Sequence, residues 1–159
     1  MDVITRKHGA VAMRDATGTP ISASLSPSLG DFSYSGAEEG NAEAIAIYNR
    51  GSYLELVEGD DKTITGSITV IHDGDLTDAT NKLAIDAVMK TGAFSAGVST
   101  DPGLVVWTTD IVLTSTRGGV VHTHTLTTCR CTYDYSEAND GNKIVINFTC
   151  YEGVTVTSA

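Results

Sequence analysis

Short runs of alternating Val, Ile and Thr recur along most of this chain and restrict it to a fold built mainly from β-strands. β-Branched residues suit a pleated, half-buried surface, and successive side chains of a strand point to opposite faces. Turn residues separate the runs, which is typical of antiparallel strands joined by tight connections. We predict strands over 2–6, 8–14, 21–25, 32–34, 43–49, 53–58, 63–71, 105–116, 120–132, 144–151 and 154–157.

Two connections carry a hairpin signal. Asn49-Arg50-Gly51 separates the runs at 43–49 and 53–58, and Arg117-Gly118-Gly119 separates two later runs. Glycine adopts without steric cost the positive φ that tight hairpin turns need. We therefore predict an antiparallel hairpin at each place.

One segment departs from the strand pattern and predicts a helix. Its apolar and small residues recur every three or four positions, as on one face of a helix: Leu76, Thr80, Leu83, Ala84, Ala87 and Val88. Thr77 can cap the N-terminus and Gly92 can stop the helix. The fold class predicted is mainly β, an antiparallel β-sandwich or partly closed barrel with one amphipathic α-helix over about 77–90.

Charge and cysteine content narrow the function classes. The 159 residues include 10 Lys plus Arg and 20 Asp plus Glu, for a formal net charge of -10. Proteins that grip nucleic acid neutralise phosphates with clustered basic residues, so this balance argues against that class. The chain has three cysteines and no export signal, which favours a reduced, cytoplasmic protein with free thiols.

Two histidines and two cysteines, residue types that commonly bind metals, lie close together in the sequence. His122 and His124 share a face of the predicted strand, but no third ligand is placed beside them. In an unbroken strand Cys129 and Cys131 face the other way, so a joint zinc site would require a bulge. We interpret the histidines as neutral and part-exposed, and the three cysteines, including Cys150, as buried and free.

The acidic segment 73–78 looks like a calcium loop but lacks its pattern. The twelfth position from Asp73 is Ala84, where a bidentate Glu is needed, so a turn that leads into the helix explains the acids better. Nucleophile-elbow, phosphate-loop and dinucleotide motifs are absent from the sequence. We expect no catalytic residue, no metal and no cofactor.

The order of elements resembles that of tail tube proteins of long-tailed bacteriophages. The resemblance is carried by residues 43–71: a strand, a turn around Arg50-Gly51, a second strand, the acidic turn Gly59-Asp60-Asp61 and a strand that contains Thr65-Gly66-Ser67. An amphipathic helix and a group of long strands follow. The resemblance covers about residues 30–157.

The resemblance implies a structural subunit of the virion tail, assembled in the host cytoplasm without a membrane anchor. Such proteins form six-membered rings that stack into a hollow tube, and strands of all subunits join into one barrel that lines the channel. The genome passes through without specific binding, and the tape measure and terminator proteins are further partners. We expect 1–159 to be a single tail-tube domain without a separate C-terminal immunoglobulin-like domain.

Two sets of residues are candidates for the surfaces of such an assembly. The first is a possible lumen face of small polar side chains that alternate with Ile64, Ile68 and Val70: Thr63, Thr65, Ser67 and Thr69. The second comprises Arg50 and Arg117 at turn tips, and Glu38 and Glu39 in the Gly-rich segment 35–41, which could meet charges on an adjacent ring. The stretch 92–103 is a further stacking candidate. The alternatives are an ordinary solvent face and plain surface loops.

Other functions remain open at this stage. A tail terminator or head-tail connector can share a similar fold but stops at one ring, and a secretion-system tube subunit is a close variant. A β-sandwich binding module would usually expose aromatic residues, whereas we expect the single Trp107 to lie in a core strand. An enzyme is no more favoured than a binding module.

Overall fold

A computed structural model describes residues 9–25, 32–37, 42–72, 79–139 and 141–159. Within these residues the chain is mainly antiparallel β with one short α-helix, as predicted. The elements are β1 Gly9–Arg14, β2 Ser22–Leu25, β3 Phe32–Ser35, β4 Ala42–Asn49, β5 Ser52–Asp61, β6 Ile64–His72, α1 Ala79–Met89, a 3₁₀ turn Gly92–Phe94, β7 Thr109–Arg117, β8 Val120–Ser136, β9 Asn142–Cys150 and β10 Val154–Ser158.

Some predicted boundaries differ from the structure. β7 begins four residues later than predicted, because the preceding loop is held by hydrogen bonds around Ser99 and Thr108 instead of a strand partner. The expected turn at 59–61 belongs to β5, where Asp61 lies opposite Ala42 and a register shift absorbs the extra residue. The strand predicted over 2–6 and the helix cap at Thr77 lie outside the described residues.

The strands form one large sheet and one separate hairpin. The large sheet has the order β2-β1-β7-β8-β9-β6-β3, with β10 also paired to β8, and β4 and β5 pair with each other. β9 and β10 follow one another along the same edge of β8, opposite 129–136 and 122–126. β7 occupies the other edge of β8, up to Cys129.

A bulge divides β8 between two layers. Asp110 of β7 lies opposite both Thr127 and Thr128, and Thr128 has a φ of 57°. The Asp110 carboxylate accepts a hydrogen bond from the Thr128 amide at 2.9 Å and so satisfies the backbone group freed by the bulge. Residues 120–126 lie with β10, β7, β1 and β2 in what we call sheet I, and residues 129–136 with β9, β6 and β3 in sheet II.

Both sheets contribute to one core. Its fully buried aliphatic residues include Val11, Met13, Ile111 and Leu126 from sheet I, and Ile64, Ile68 and Ile146 from sheet II. Helix α1 contacts β1, β2 and β8, and it buries Ala84 and Ala87. Small residues on that face allow the helix to lie close to the strands. No helix in the described residues is long and apolar enough to cross a membrane.

The bulge and the strand register overturn the expectation of three free cysteines. Cys129 and Cys150 lie directly opposite each other on β8 and β9, with their Cα atoms 4.1 Å apart, and they form a disulfide in the core. Directly opposed residues approach this closely at the non-hydrogen-bonded positions of antiparallel strands. Cys131 is free, and burial raises the pKa of its thiol to about 12.

Candidate functional site

The outer face of sheet II is covered with small polar side chains. Residues from its four strands line up in three cross-strand rows: Ser35-Thr65-Thr149-Arg130, Ser33-Ser67-Asn147-Thr132, and Thr69-Val145-Asp134, the last without a β3 member. All are exposed or half-buried, whereas Ile64 and Ile68 face the core. The structure therefore places Thr65, Ser67 and Thr69 on one face. Thr63 is exposed just before β6, and the Val70 side chain lies outside the described part.

Charge is sparse and mixed on this face, which we call the polar face. Arg130 and Asp134 are the charged residues of the three rows, and the next row on the same face adds Lys143. The Asn147 amide donates a hydrogen bond to the Asp134 carboxylate at 2.9 Å. A shallow groove of about 350 Å³ crosses the face beside Thr65, Arg130 and Asn147. Such a surface is hydrated but provides no concentrated charge for phosphate.

Sheet II ends in two open edges within the described residues. β3 pairs only with β6, and the part of β8 beyond Cys129 pairs only with β9. An open edge carries unpaired backbone donors and acceptors that can template a strand from another chain. A sheet with one polar face and two open edges is therefore suited to pairing edge to edge with the sheets of neighbouring copies.

The hairpin of β4 and β5, which we call the projecting hairpin, pairs with no other described strand. Arg50 and Gly51 form its turn with φ values of 49° and 83°, as type I′ turns require at both central positions. Large apolar side chains are exposed on both of its faces: Ile45, Ile47 and Val57 on one, and Tyr48, Tyr53 and Leu56 on the other. Apolar patches of this kind on a soluble protein mark an interaction surface.

The charged stacking candidates are distributed over separate places. Arg50 is exposed at the tip of the projecting hairpin. Arg117 ends β7 beside the turn Gly118-Gly119, whose φ values are 60° and 85°. Both turns confirm the predicted hairpins, and the two arginines belong to different hairpins. Glu38 and Glu39 lie outside the described residues.

A groove beside Trp107 was not predicted. Trp107 lies before β7, half-buried, and not in a core strand as expected; its indole N–H donates to the Ala87 carbonyl at 2.7 Å. It borders a groove of about 370 Å³, the Trp107 groove, which is also lined by Lys90, Val98, Leu104, Val105 and Val106. The Val-rich run at 104–106 suggested a strand in the sequence, but Val105 is 88% exposed. The preceding Asp101-Pro102-Gly103 is the signal that could have predicted a loop.

The histidines make separate hydrogen bonds. Nδ1 of His124 lies 2.7 Å from the Tyr34 hydroxyl, and Nδ1 of His122 lies 3.1 Å from the Ser158 hydroxyl. Among the described residues, no three His, Cys, Asp or Glu side chains are grouped so that they could hold a metal ion.

Comparison with known proteins adds structural neighbours. No protein-family model and no curated sequence matches the chain. The chain is similar to the SPP1 tail tube (TM-score 0.60, 11% identity, 99% of this chain and 80% of that chain). It is also similar to the PVC sheath/tube terminator of an extracellular contractile injection system, with a TM-score of 0.57 and 14% identity over 100% of this chain and 98% of that chain. A third neighbour is the tube-terminating cap of the anti-feeding prophage, with a TM-score of 0.54 and 14% identity over 100% of this chain and 93% of that chain. This chain therefore has the fold of phage tail tube proteins and of the tube-terminating proteins of contractile injection systems.

Proposed function

We propose that this chain is a structural subunit, without catalytic activity, that forms hexameric rings which stack into the hollow tube of a phage tail. The observation that carries the proposal is sheet II, which combines a polar outer face with two open edges. The shared fold of tube and tube-terminating proteins supports it. The tape measure and terminator proteins are its expected partners in the virion.

Ring closure would join the two open edges of sheet II. The β3 edge of one subunit would pair with residues 130–136 of β8 in the next, so that the sheets form a continuous barrel. Closing a sheet on itself removes its edges and satisfies their backbone groups. The outer side of β6, with Thr65, Ser67 and Thr69, would line the lumen, and Thr63 would lie at its rim.

The charge of the polar face suits a channel wall along which DNA moves without binding. A basic wall would hold DNA through counterion release, whereas a nearly neutral wall lets it slide. Arg130, Lys143 and Asp134 leave only a small positive excess, spread among hydroxyl and amide groups. The genome would therefore pass through without specific binding.

Ring stacking would use the elements that leave the sandwich. The projecting hairpin is the largest of these, with Arg50 at its tip. Arg117 at the second hairpin, and Glu38 and Glu39 in the segment after β3, are further candidates for charge contacts between rings. Replacing Arg50 with Glu would test the first of these contacts, and unchanged tubes would remove Arg50 from the mechanism.

A tube terminator is the second candidate function. It is favoured by the similarity to the PVC terminator and the anti-feeding prophage cap, which match this chain over its whole length. A terminator would form one closed ring, whereas a tube subunit polymerises without limit. A tube subunit of a contractile injection system would polymerise in the same way.

Electron microscopy of the purified chain, before and after concentration, tests these functions. We expect hollow rods or stacked rings; isolated closed rings would favour the terminator, and a chain that stays monomeric at every concentration would contradict both.

Tyr133→Pro tests the β8 edge. Because Cys129 and Cys150 occupy a non-hydrogen-bonded position, alternation directs the Tyr133 amide toward the open edge. Tyr133→Pro should block rings, and Tyr133→Thr, which also loses the ring but keeps the N–H, should not.

A further inference from the structure

We propose that Cys129 and Cys150 act as a redox latch, which stays open as two thiols while the chain assembles and closes to the disulfide when the finished particle meets an oxidant. The proposal rests on the proposed function, because it takes assembly to occur in the cytoplasm of a host. The position of the cysteine pair at the junction of the two sheets, and the redox chemistry on either side of release from the cell, support it.

The cysteine pair lies where the chain crosses from one sheet to the other. β8 passes from sheet I to sheet II through the bulge at Thr127 and Thr128, and Cys129 is the next residue. Cys150 ends β9 in sheet II, and the turn over 151–153 leads from it to β10 in sheet I. The two crossings therefore run side by side, and the bond between Cys129 and Cys150 links them.

The turn after β9 is the surface that covers the latch. The Tyr151 amide donates to the Thr128 carbonyl at 3.1 Å, and the Glu152 carboxylate accepts from the Thr128 hydroxyl at 2.8 Å. Tyr151 and Glu152 are both exposed, so these hydrogen bonds lie at the surface, where local opening costs less than global unfolding. Opening of this turn uncovers Cys150, which is fully buried in the closed structure.

The thiol form of the pair fits the same structure. Eight consecutive residue pairs fix β8 opposite β9 and bring Cys129 to Cys150 whether or not the two sulfurs are bonded. As a thiol, Cys129 also has an acceptor, because its Sγ lies 3.5 Å from the carbonyl oxygen of Leu126. The chain can thus reach its folded state before the disulfide exists.

Reducing conditions keep the latch open during synthesis. Glutathione and thioredoxin hold thiols reduced in the cytoplasm, where stable disulfides are rare. A newly made chain exposes both thiols to this pool, and folding then buries Cys129 and Cys150 at 0% exposure, which limits later exchange. The extracellular medium is oxidising, so the disulfide becomes the favoured form once a particle leaves the cell.

Closure is a thiol–disulfide exchange with a low-molecular-weight disulfide as the oxidant. When the turn after β9 opens, the Cys150 thiolate attacks the reagent, forms a mixed disulfide and releases one small thiolate. The Cys129 thiolate then attacks the Cys150 sulfur, forms the Cys129–Cys150 bond and releases the second small thiolate. Two electrons pass from the cysteine pair to the reagent, and the two protons lost by the cysteines are taken up by the released thiolates.

A closed latch stabilises the finished assembly. The bond restricts the unfolded chain, and it ties together the two segments that connect sheet I to sheet II. Burial of the bond excludes reductants, so the latch stays closed after the turn has covered it again. Tubes should therefore assemble from subunits that are less constrained and persist as subunits that resist unfolding more strongly.

Thiol trapping of the full chain tests the latch. Cells that produce the chain in a bacterial cytoplasm are quenched with acid, and the thiols are alkylated in denaturant and located by mass spectrometry. We expect Cys129, Cys131 and Cys150 all to be alkylated in most chains. After the folded, purified chain has been exposed to oxidised glutathione, we expect only Cys131, which lies opposite Phe148, to be alkylated. A pair already bonded in most trapped chains, or still reduced after oxidised glutathione, would overturn the proposal.

Glu152→Ala tests the entry point of the oxidant. Loss of the hydrogen bond from Thr128 should let the turn open more often and raise the rate of closure by oxidised glutathione by about threefold or more. Glu55→Ala, at an exposed position of the projecting hairpin, also removes one negative charge and should leave the rate unchanged. Equal rates of closure in both variants would overturn entry through this turn.

Dissociation of tubes by urea tests the locking role. Tubes closed with oxidised glutathione should dissociate at a higher urea concentration than tubes kept in reductant, and Cys131→Ala tubes should behave like the wild type. A Cys129→Ala, Cys150→Ala double variant should show no difference between the two conditions. Equal midpoints for oxidised and reduced wild-type tubes would overturn the latch. If no tubes form in either redox state, the proposed function fails, and urea unfolding of the folded monomer in the two states decides the latch instead.

Discussion

The carboxylate of Asp15 accepts a hydrogen bond from the backbone amide of Val98 at 3.2 Å and so joins the end of β1 to the loop of the Trp107 groove. Its other oxygen accepts from the Ile21 amide and the Thr17 hydroxyl, each at 2.8 Å. Asp15 is only 4% exposed. One buried carboxylate thus connects β1, the turn before β2 and the groove loop.

Asp15→Asn should destabilise the fold by about 1–3 kcal/mol, because an amide group placed at the second oxygen would meet the Val98 N–H donor to donor. Unfolding by urea at pH 7 measures the change. Asp60→Asn, at an exposed position on the projecting hairpin, is the control and should leave the free energy of unfolding unchanged.

The same carboxylate predicts a pH dependence. Burial alone would raise the pKa of Asp15, but hydrogen bonds from Thr17, Ile21 and Val98 together hold it below its ordinary value of 3.8. A carboxyl whose pKa is lower in the folded state contributes stability above its unfolded pKa and loses it as the pH falls through the folded pKa. Stability should therefore decline below about pH 4, and the decline should be smaller in Asp15→Asn; identical pH profiles would contradict this origin.

Gly66→Ala should destabilise the chain by about 1–3 kcal/mol through overpacking. A Cβ at position 66 would overlap the Ser33 carbonyl of β3 and the Phe148 ring of β9. Gly18→Ala is the matched control, since a Cβ there meets nothing within 4 Å. Urea unfolding of both variants checks the prediction, and equal effects would show that the backbone preference of glycine matters more than packing.

Removal of the Cys129–Cys150 disulfide in a Cys129→Ala, Cys150→Ala double variant should lower the free energy of unfolding by about 2–4 kcal/mol, because the bond restricts the unfolded chain over a separation of 21 residues. Urea unfolding of the double variant measures the change.

A thiol titration in denaturant without reductant should find one free thiol per chain. Cys131, whose pKa is raised to about 12, should react with iodoacetamide at pH 8 only after unfolding. Three titratable thiols would contradict the bonded pair.

Arg50→Asn should raise the free energy of unfolding of the monomer by up to about 1 kcal/mol, because Asn tolerates positive φ better than Arg. If Arg50 makes contacts between rings, the same variant should raise the protein concentration at which tubes form. Arg50→Lys, which keeps the positive charge at the same turn, is the control and should form tubes at a concentration near that of the wild type. If tubes form equally well with Asn at position 50, Arg50 makes no contact between rings and affects only the geometry of its turn.

Local pattern was sufficient for several features of the fold. The turn at Arg50-Gly51, the Gly118-Gly119 turn and the alternation around Ile64 and Ile68 depend on neighbours within a few residues, and all three agree with the structure. The helix was also predictable, because its small residues Ala84 and Ala87 recur at helical spacing and face the core.

Features that depend on the pairing register of distant strands could not be predicted from the sequence. The bulge at Thr128 exists because β7 and β8 pair out of step around Asp110, and it turns Cys129 to the same core face as Leu126. Periodicity in β8 alone predicted an unbroken strand. The Trp107 groove was missed because a valine-rich run in an exposed loop has the same composition as a strand.

By itself, the sequence determined the mainly β class, the hairpin turns and the two-faced character of β6, because φ preference and period-two alternation act over neighbouring residues. Only the tertiary structure decided which edges of sheet II lack a partner among the described strands, that Cys129 meets Cys150, and that the hairpin and the Trp107 groove are exposed. These depend on strand order and register, which arise from burying one shared core between residues far apart in the chain.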